Sequence, residues 1–159
     1  MGVQVDVMAD PEVSPEAQAK LSALAHDVVE TVLRLEGYQG ENAEVSVLYT
    51  DDKFISELNL RYRGVEGPTD VLSFALKEDE DQDGEAPPED MPDALGDIVV
   101  SLETAAKQAE AEHKTLEQEV ALLLAHATLH LLGYDHDEPE KEAVMWKRQG
   151  EVLKELGLA

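Results

Sequence analysis

The segment "TLEQEVALLLAHATLHLLGYDH", residues 115–136, decides how the chain must fold. Thr115, with Gln118 three positions on, makes a capping box that starts a helix. From Leu116 to Leu132 that helix is apolar nearly all round, and such a helix has to be buried. Its uncharged run from Val120 is too short to cross a bilayer, so the cover must come from the rest of the chain. His126 and His130 stand four apart on it, which puts both rings on one face, a turn apart. Gly133 can take the left-handed conformation that ends the helix and turns the chain back. His136 then comes in from the side.

Working outward from this helix, the flanking sequence supplies strands and amphipathic helices. "VQVDVM" (3–8) alternates and reads as a first strand, and "AEVSVLYT" (43–50) as a second. Between them Ser14 and Pro15 open a helix that runs to about Glu36, with Gly37 placed to end it. Thr50 is expected to cap a short helix, "DDKFISELNLRY", whose stripe is Phe54, Ile55, Leu58 and Tyr62. "RGVEGPTD" is a loop, "VLSFAL" (71–76) a third strand and "GDIVVSL" (96–102) a fourth. A helix follows from Ser101 to about His113. Pro139 opens a last one, with Val144, Met145, Val152 and Leu153 facing inward and Trp146 anchoring it to the core. The expected fold is α+β: a single domain over 1–159 with a mixed four-stranded sheet packed by about five helices. Its candidate site lies on the buried helix and the turn after it.

Composition fits a globular domain, but the charge is lopsided, with 36 acidic against 12 basic residues and a net −24. Residues 78–93 hold nine of those acids and no base, and read as a mobile acidic loop. They lack the Asp/Gly spacing of an EF-hand, so solvation rather than calcium explains them. A charge of this sign repels polyanions from most of the surface. The first residues, "MGVQVDVMADPEV", have neither the basic nor the apolar region of a secretory signal, so a cytoplasmic protein is expected.

With no cysteine in the chain, a metal has to be held by His, Asp or Glu. Two histidines on a buried Leu/Ala helix would otherwise each need a buried hydrogen-bond partner. His126, His130 and His136 together offer three neutral nitrogens and leave a fourth position open, the arrangement of a catalytic zinc rather than a structural one. One zinc per chain is expected, with nickel or another divalent metal as the alternative. Asp135 and Asp137 are candidates to orient the rings. His26 and His113 are isolated on polar segments and read as surface residues. The spacing H-x3-H-x2-G-x2-H is that of the metzincin peptidases, but those carry a glutamate after the first histidine. Ala127 stands there and cannot take a proton, so a peptidase would have to recruit Asp70 or Asp135. A non-catalytic factor with a structural metal is the other alternative.

"HATLHLLGYDH" resembles the signature H-G-x-L-H-L-x-G-Y-D-H of the YbeY family of metal-dependent endoribonucleases. "LNLRYRGVEGPTDVLSFAL" (58–76) is similar to a second stretch of that family, and "LGDIVVS" (95–101) to a third. Ala127 departs from the family's usual glycine without removing a ligand. The resemblance implies zinc on His126, His130 and His136, and an arginine important for RNA cleavage at Arg63. It further implies single-strand-specific cleavage of RNA in rRNA processing, at the 3′ end of 16S rRNA, and a part in ribosome assembly or quality control. The implied partners are rRNA, the small ribosomal subunit and the GTPase Era, with neither DNA nor a membrane among them. On the same resemblance, the non-catalytic alternative would be a ribosome-assembly factor.

A guanidinium at Arg63 can bind a phosphate through two parallel hydrogen bonds and stabilise charge developing on it. Water or the RNA's own 2′-OH can then be the nucleophile, and neither route requires a dedicated carboxylate. Asp70 and Asp97 stand at expected strand starts and are read as structural. Trp146 and Tyr134 are candidates to stack on a base, although Trp146 is expected rather to anchor the last helix. The net charge is the difficulty, because RNA binding draws on phosphate neutralisation. Only Lys53, Arg61, Arg63 and Lys77 gather near the site in sequence, with Asp51, Asp52 and Glu57 among them. A partner that delivers the RNA answers this best; a focused basic patch or a salty cytoplasm are the other answers.

Overall fold

The elements run β1 (Gly2–Ala9), α1 (Pro15–Leu35), β2 (Asn42–Thr50), α2 (Asp52–Arg63), β3 (Val71–Ala75), β4 (Asp93–Ser101), α3 (Leu102–Ala111), α4 (Leu116–Leu131) and α5 (Pro139–Glu155) in the computed structural model. The structure describes residues 2–38, 42–76, 93–134 and 137–159. All of the acidic stretch 78–93 but Asp93, together with Lys77, Asp135 and His136, lies outside the described residues.

Side-chain caps start four of the five helices, and Glu138 ahead of α5 makes none. Ser14 accepts from the Ala17 amide at 3.2 Å, and Thr115 and Gln118 close a reciprocal box with bonds of 3.1 and 2.9 Å. The expected cap at Thr50 is one residue early. Thr50 is still paired in the sheet, and it is Asp51 that accepts from the Phe54 amide, at 2.8 Å. A carboxylate there also suits the positive end of the helix.

The sheet has the order β1-β2-β4-β3, with β1–β2 and β2–β4 parallel and β4–β3 antiparallel. β4 begins three residues before the expected Gly96. A register shift at Glu44/Val45 of β2 keeps Asp93 and Ala94 paired with Ala43 and Glu44. At Gly96 the φ is +151°, and a Cβ there would fall 2.3 Å from the Phe74 carbonyl oxygen and 2.7 Å from a Leu131 methyl. Only glycine permits so close an approach of β4 to its neighbours.

Alternation along the strands separates two apolar clusters. Val45, Val47, Tyr49, Ile98 and Val100 face the main core with Val28 and Val32 of α1 and Leu124 and Leu129 of α4. On the other face, Val99 and Leu72 pack with Ile55 of α2. That second cluster is small because α2 uses a narrow face: Ile55 is buried, whereas Phe54 and Tyr62 of the expected stripe are 40% and 61% exposed. In α5, Met145 and Val152 are buried as expected, Leu153 is half-buried and Val144 is exposed. Trp146 does not anchor the helix. It is 57% exposed, because the inward face is completed by Gln149, one turn from Met145, which turns Trp146 aside.

Candidate functional site

Between residues 119 and 131 of α4, every side chain is buried except Leu122, His126 and His130. These follow at intervals of four, so the helix opens to the outside along a single stripe. The stripe lines a cleft of about 820 Å³, walled by β3 on one side and by α3 and α5 on the others. The two imidazoles are one turn apart, with ring centroids at 4.8 Å and planes at 79°. The helix ends as its sequence predicts: Gly133 has φ +103°, and the Tyr134 amide donates back to the Leu129 carbonyl at 3.0 Å.

Behind His126 stands a residue that the sequence reading passed over. Gln149 of α5 is 2% exposed, and its Oε1 lies 2.7 Å from Nδ1 of His126. An amide oxygen can only accept, so this bond places the imidazole proton on Nδ1 and the lone pair on Nε2. Nothing in the spacing of residues 126–136 points to it, since Gln149 lies 23 residues from His126. Its one signal was an amide on the inward face of an otherwise apolar helix stripe. Asp137, one of the two candidates for that orienting role, instead pairs with Lys141 at 3.6 Å on the surface.

Arg63 lines the same cleft, although α2 packs on the opposite face of the sheet from α4. It is the last residue of α2 and comes round the open edge at β3. Gly64, at φ +67°, closes the helix there, and buried Asn59 holds the loop by donating to the Gly67 carbonyl at 3.0 Å. Tyr62 packs edge-on against Phe74 of β3, with centroids 5.3 Å apart, which fixes the end of the helix beside the strand. Of the four cations gathered near the site in sequence, Lys53 and Arg61 do not line the cleft.

The floor is a polar network. Asp70 caps the start of β3 by accepting from the Val71 amide at 2.8 Å, and its other oxygen receives Gln108 Nε2 at 3.3 Å. Gln108 also donates to Glu119, 2.9 Å away, a carboxylate that is 3% exposed. Lys114 completes the network, 2.8 Å from Glu119 and 2.9 Å from Glu112. Burial alone would lower the Lys114 pKa, but the two carboxylates outweigh it and raise it; the ammonium in turn lowers that of Glu112. Both oxygens of Asp70 are thus engaged, one at the start of β3 and the other with α3. Asp97 belongs elsewhere: it is exposed in mid-strand and lines a groove on the α2 face of the sheet with Asp6 and Phe74. His26 pairs with Glu30 at 3.4 Å, and His113 is exposed. The Tyr134 hydroxyl donates to Glu36, tying the turn after α4 to the end of α1.

The donor set suits a divalent cation. Two imidazoles a turn apart, one of them held with Nε2 as its acceptor, are the nitrogen ligands that such ions take. Among the described residues, the carboxylates along the cleft are Asp70, Glu112 and Glu119, and Arg63 and Lys114 do not fully offset them.

A cleft at a sheet edge with paired imidazoles, a facing guanidinium and no general-base carboxylate next to the first histidine defines a hydrolase of phosphate esters better than one of peptides. The family model for Endoribonuclease YbeY matches residues 9–157. An endoribonuclease YbeY of Pelotomaculum thermopropionicum is 46% identical over 87% of this chain and 88% of its own length. That of a Roseiflexus species is 44% identical over 98% and 94%. Among solved structures, the solution structure of TM1509 from Thermotoga maritima superposes with a TM-score of 0.57 at 25% identity, covering 96% of this chain and 91% of that one. The chain belongs to the endoribonuclease YbeY family.

Proposed function

We propose that this chain is a metal-dependent endoribonuclease, a hydrolase that cuts single-stranded RNA in rRNA processing, at the 3′ end of 16S rRNA, and in ribosome assembly or quality control. The observation that carries the reading is that Arg63 and the His126/His130 stripe line one cleft although they come from opposite faces of the sheet. His126, His130 and His136 hold one ion per chain, zinc before nickel or another divalent metal. A divalent ion held by these residues would supply Lewis-acid stabilisation of charge on the phosphate and would lower the pKa of a water bound to it. Arg63 clamps the scissile phosphate in two-pronged fashion, and its fixed helix end keeps the guanidinium over the cleft. Gln149 holds His126 in the tautomer that presents Nε2. Asp70 and Glu119, tied up by Gln108 and Lys114, keep the floor rigid rather than move protons.

The 159-residue chain acts as one catalytic domain, to which the acidic stretch 78–93 contributes nine negative charges. Its net −24 disfavours capture of free RNA, so the rRNA is delivered in the small ribosomal subunit, with the GTPase Era as a further partner, in the cytoplasm. No described helix is long and apolar enough to cross a membrane.

The test combines metal content with cleavage of rRNA inside small subunits, for wild type, Arg63→Ala and His130→Ala. The expected result is about one metal per chain in wild type and Arg63→Ala, loss of metal in His130→Ala, and loss of cleavage in both variants. A wild type that binds metal and leaves the rRNA intact would refute the nuclease.

A further inference from the structure

Trp146 is the only tryptophan of the chain, and it stands 57% exposed at the mouth of the cleft rather than in the core. Besides lining that cleft, it walls a side notch of about 200 Å³ between α4 and α5, together with His126, Glu142, Met145 and Gln149. The notch is smaller than the ~300–1,000 Å³ of pockets that enclose whole drug-sized ligands, so it suits a single planar ring system. None of its lining residues is Lys or Arg, and Glu142 carries a negative charge, so a phosphate is unwelcome there. The floor is rigid: Met145 is 1% exposed and Gln149 is held by its bond to His126. Arg63 lines the cleft that opens onto the notch, and among the described residues it is the only Arg or Lys of that lining.

We propose that Trp146 and this notch form a nucleobase subsite, in which one unpaired base beside the scissile phosphate stacks on the indole while Arg63 takes the phosphate. The inference rests on the endoribonuclease reading and deepens it. A base still stacked in a duplex cannot present its face to the indole, so the subsite selects single strands without reading sequence. Every base has a π-face, and the loss of this contact lowers affinity for all of them alike.

The lone tryptophan reports on its own occupancy. The metal-loaded full chain is titrated with a short 2′-O-methyl RNA, which resists cleavage, and with an abasic strand of equal length, while tryptophan fluorescence is followed. Binding of labelled strands by anisotropy is measured in parallel for wild type, Trp146→Ala and Trp146→Phe. The expected result is saturable quenching by the base-bearing strand only, roughly ten-fold weaker binding by Trp146→Ala, and most of the affinity retained by Trp146→Phe. Binding of the base-bearing strand without quenching, or equal binding by Trp146→Ala, overturns the subsite. If wild type still cleaves rRNA in subunits in that case, the nuclease reading survives alone. A wild type that does not bind the strand at millimolar concentration overturns the subsite, and if it also fails to cleave rRNA in subunits it overturns the nuclease reading as well.

Discussion

Gln149 makes a single buried contact with His126, and that contact fixes which ring nitrogen is available to a ligand. Partners of this kind behind a metal-binding histidine are worth roughly 10- to 100-fold in metal affinity. Gln149→Leu keeps the volume and removes the acceptor, so zinc affinity measured by chelator competition should fall by about that factor, with far-UV circular dichroism unchanged. Gln149→Glu restores an acceptor and should recover much of the loss. Equal affinity in Gln149→Leu would mean that the bond only packs α5 against α4. This residue shows where sequence reading stops. His126, His130 and the glycine turn were legible because they share one helical period, and Ala127 because it occupies a position with a known chemical role. Gln149 and Trp146 act on the same cleft from another helix, and only the docking of α5 reveals it.

Among the elements, the helices were the easiest to read, since their caps and periodicity are local. The sheet order was not, because the insertion of β4 between β2 and β3 depends on close approaches that no window contains. Gly96 is one of these. In Gly96→Ala the methyl would meet the Phe74 carbonyl and the Leu131 side chain, and overpacking together with backbone strain should cost about 3 kcal/mol. A loss of that size in the unfolding free energy from urea titration checks it, and metal affinity should weaken too, since Leu131 follows His130. The junction of α2 with β4 and α3 carries a pH dependence. Burial pushes the Asp52 carboxyl up, but hydrogen bonds from Ser101 and Thr104, both 2.6 Å, and the Lys107 ammonium outweigh it and hold its pKa below the usual range. A lowered folded pKa means that the stabilisation is complete above the ordinary aspartate value of about 3.9 and is lost as pH falls through the folded one. Urea unfolding of metal-free protein should therefore show wild type losing stability below about pH 4 more steeply than Asp52→Asn. Parallel pH profiles would show that Asp52 does not carry the effect.

For the whole molecule, the acidic surplus and the cleft pull in different directions: the surface repels what the site is built to bind. The sequence made the charge plain, and the structure shows that its compensation is local, at Arg63 and Lys114. The last feature with a molecule-wide consequence is the clasp formed by α5. Arg34 of α1 meets Glu155 at 3.1 Å, and Arg148 meets Glu36, which also receives the Tyr134 hydroxyl from the turn after α4. Gln118 at the start of α4 reaches the Leu158 carbonyl at 3.4 Å. Through Gln149 this clasp also touches His126, so an ion on the imidazoles and the docking of the C-terminal helix strengthen each other. Amide hydrogen exchange should show it: zinc should slow exchange across α5, residues remote from any ligand, and Gln149→Leu should abolish that protection while leaving α1 unaffected. The tail of the chain then serves as a gauge of metal loading, the first part to loosen when the ion leaves and the first place where a protease would find it.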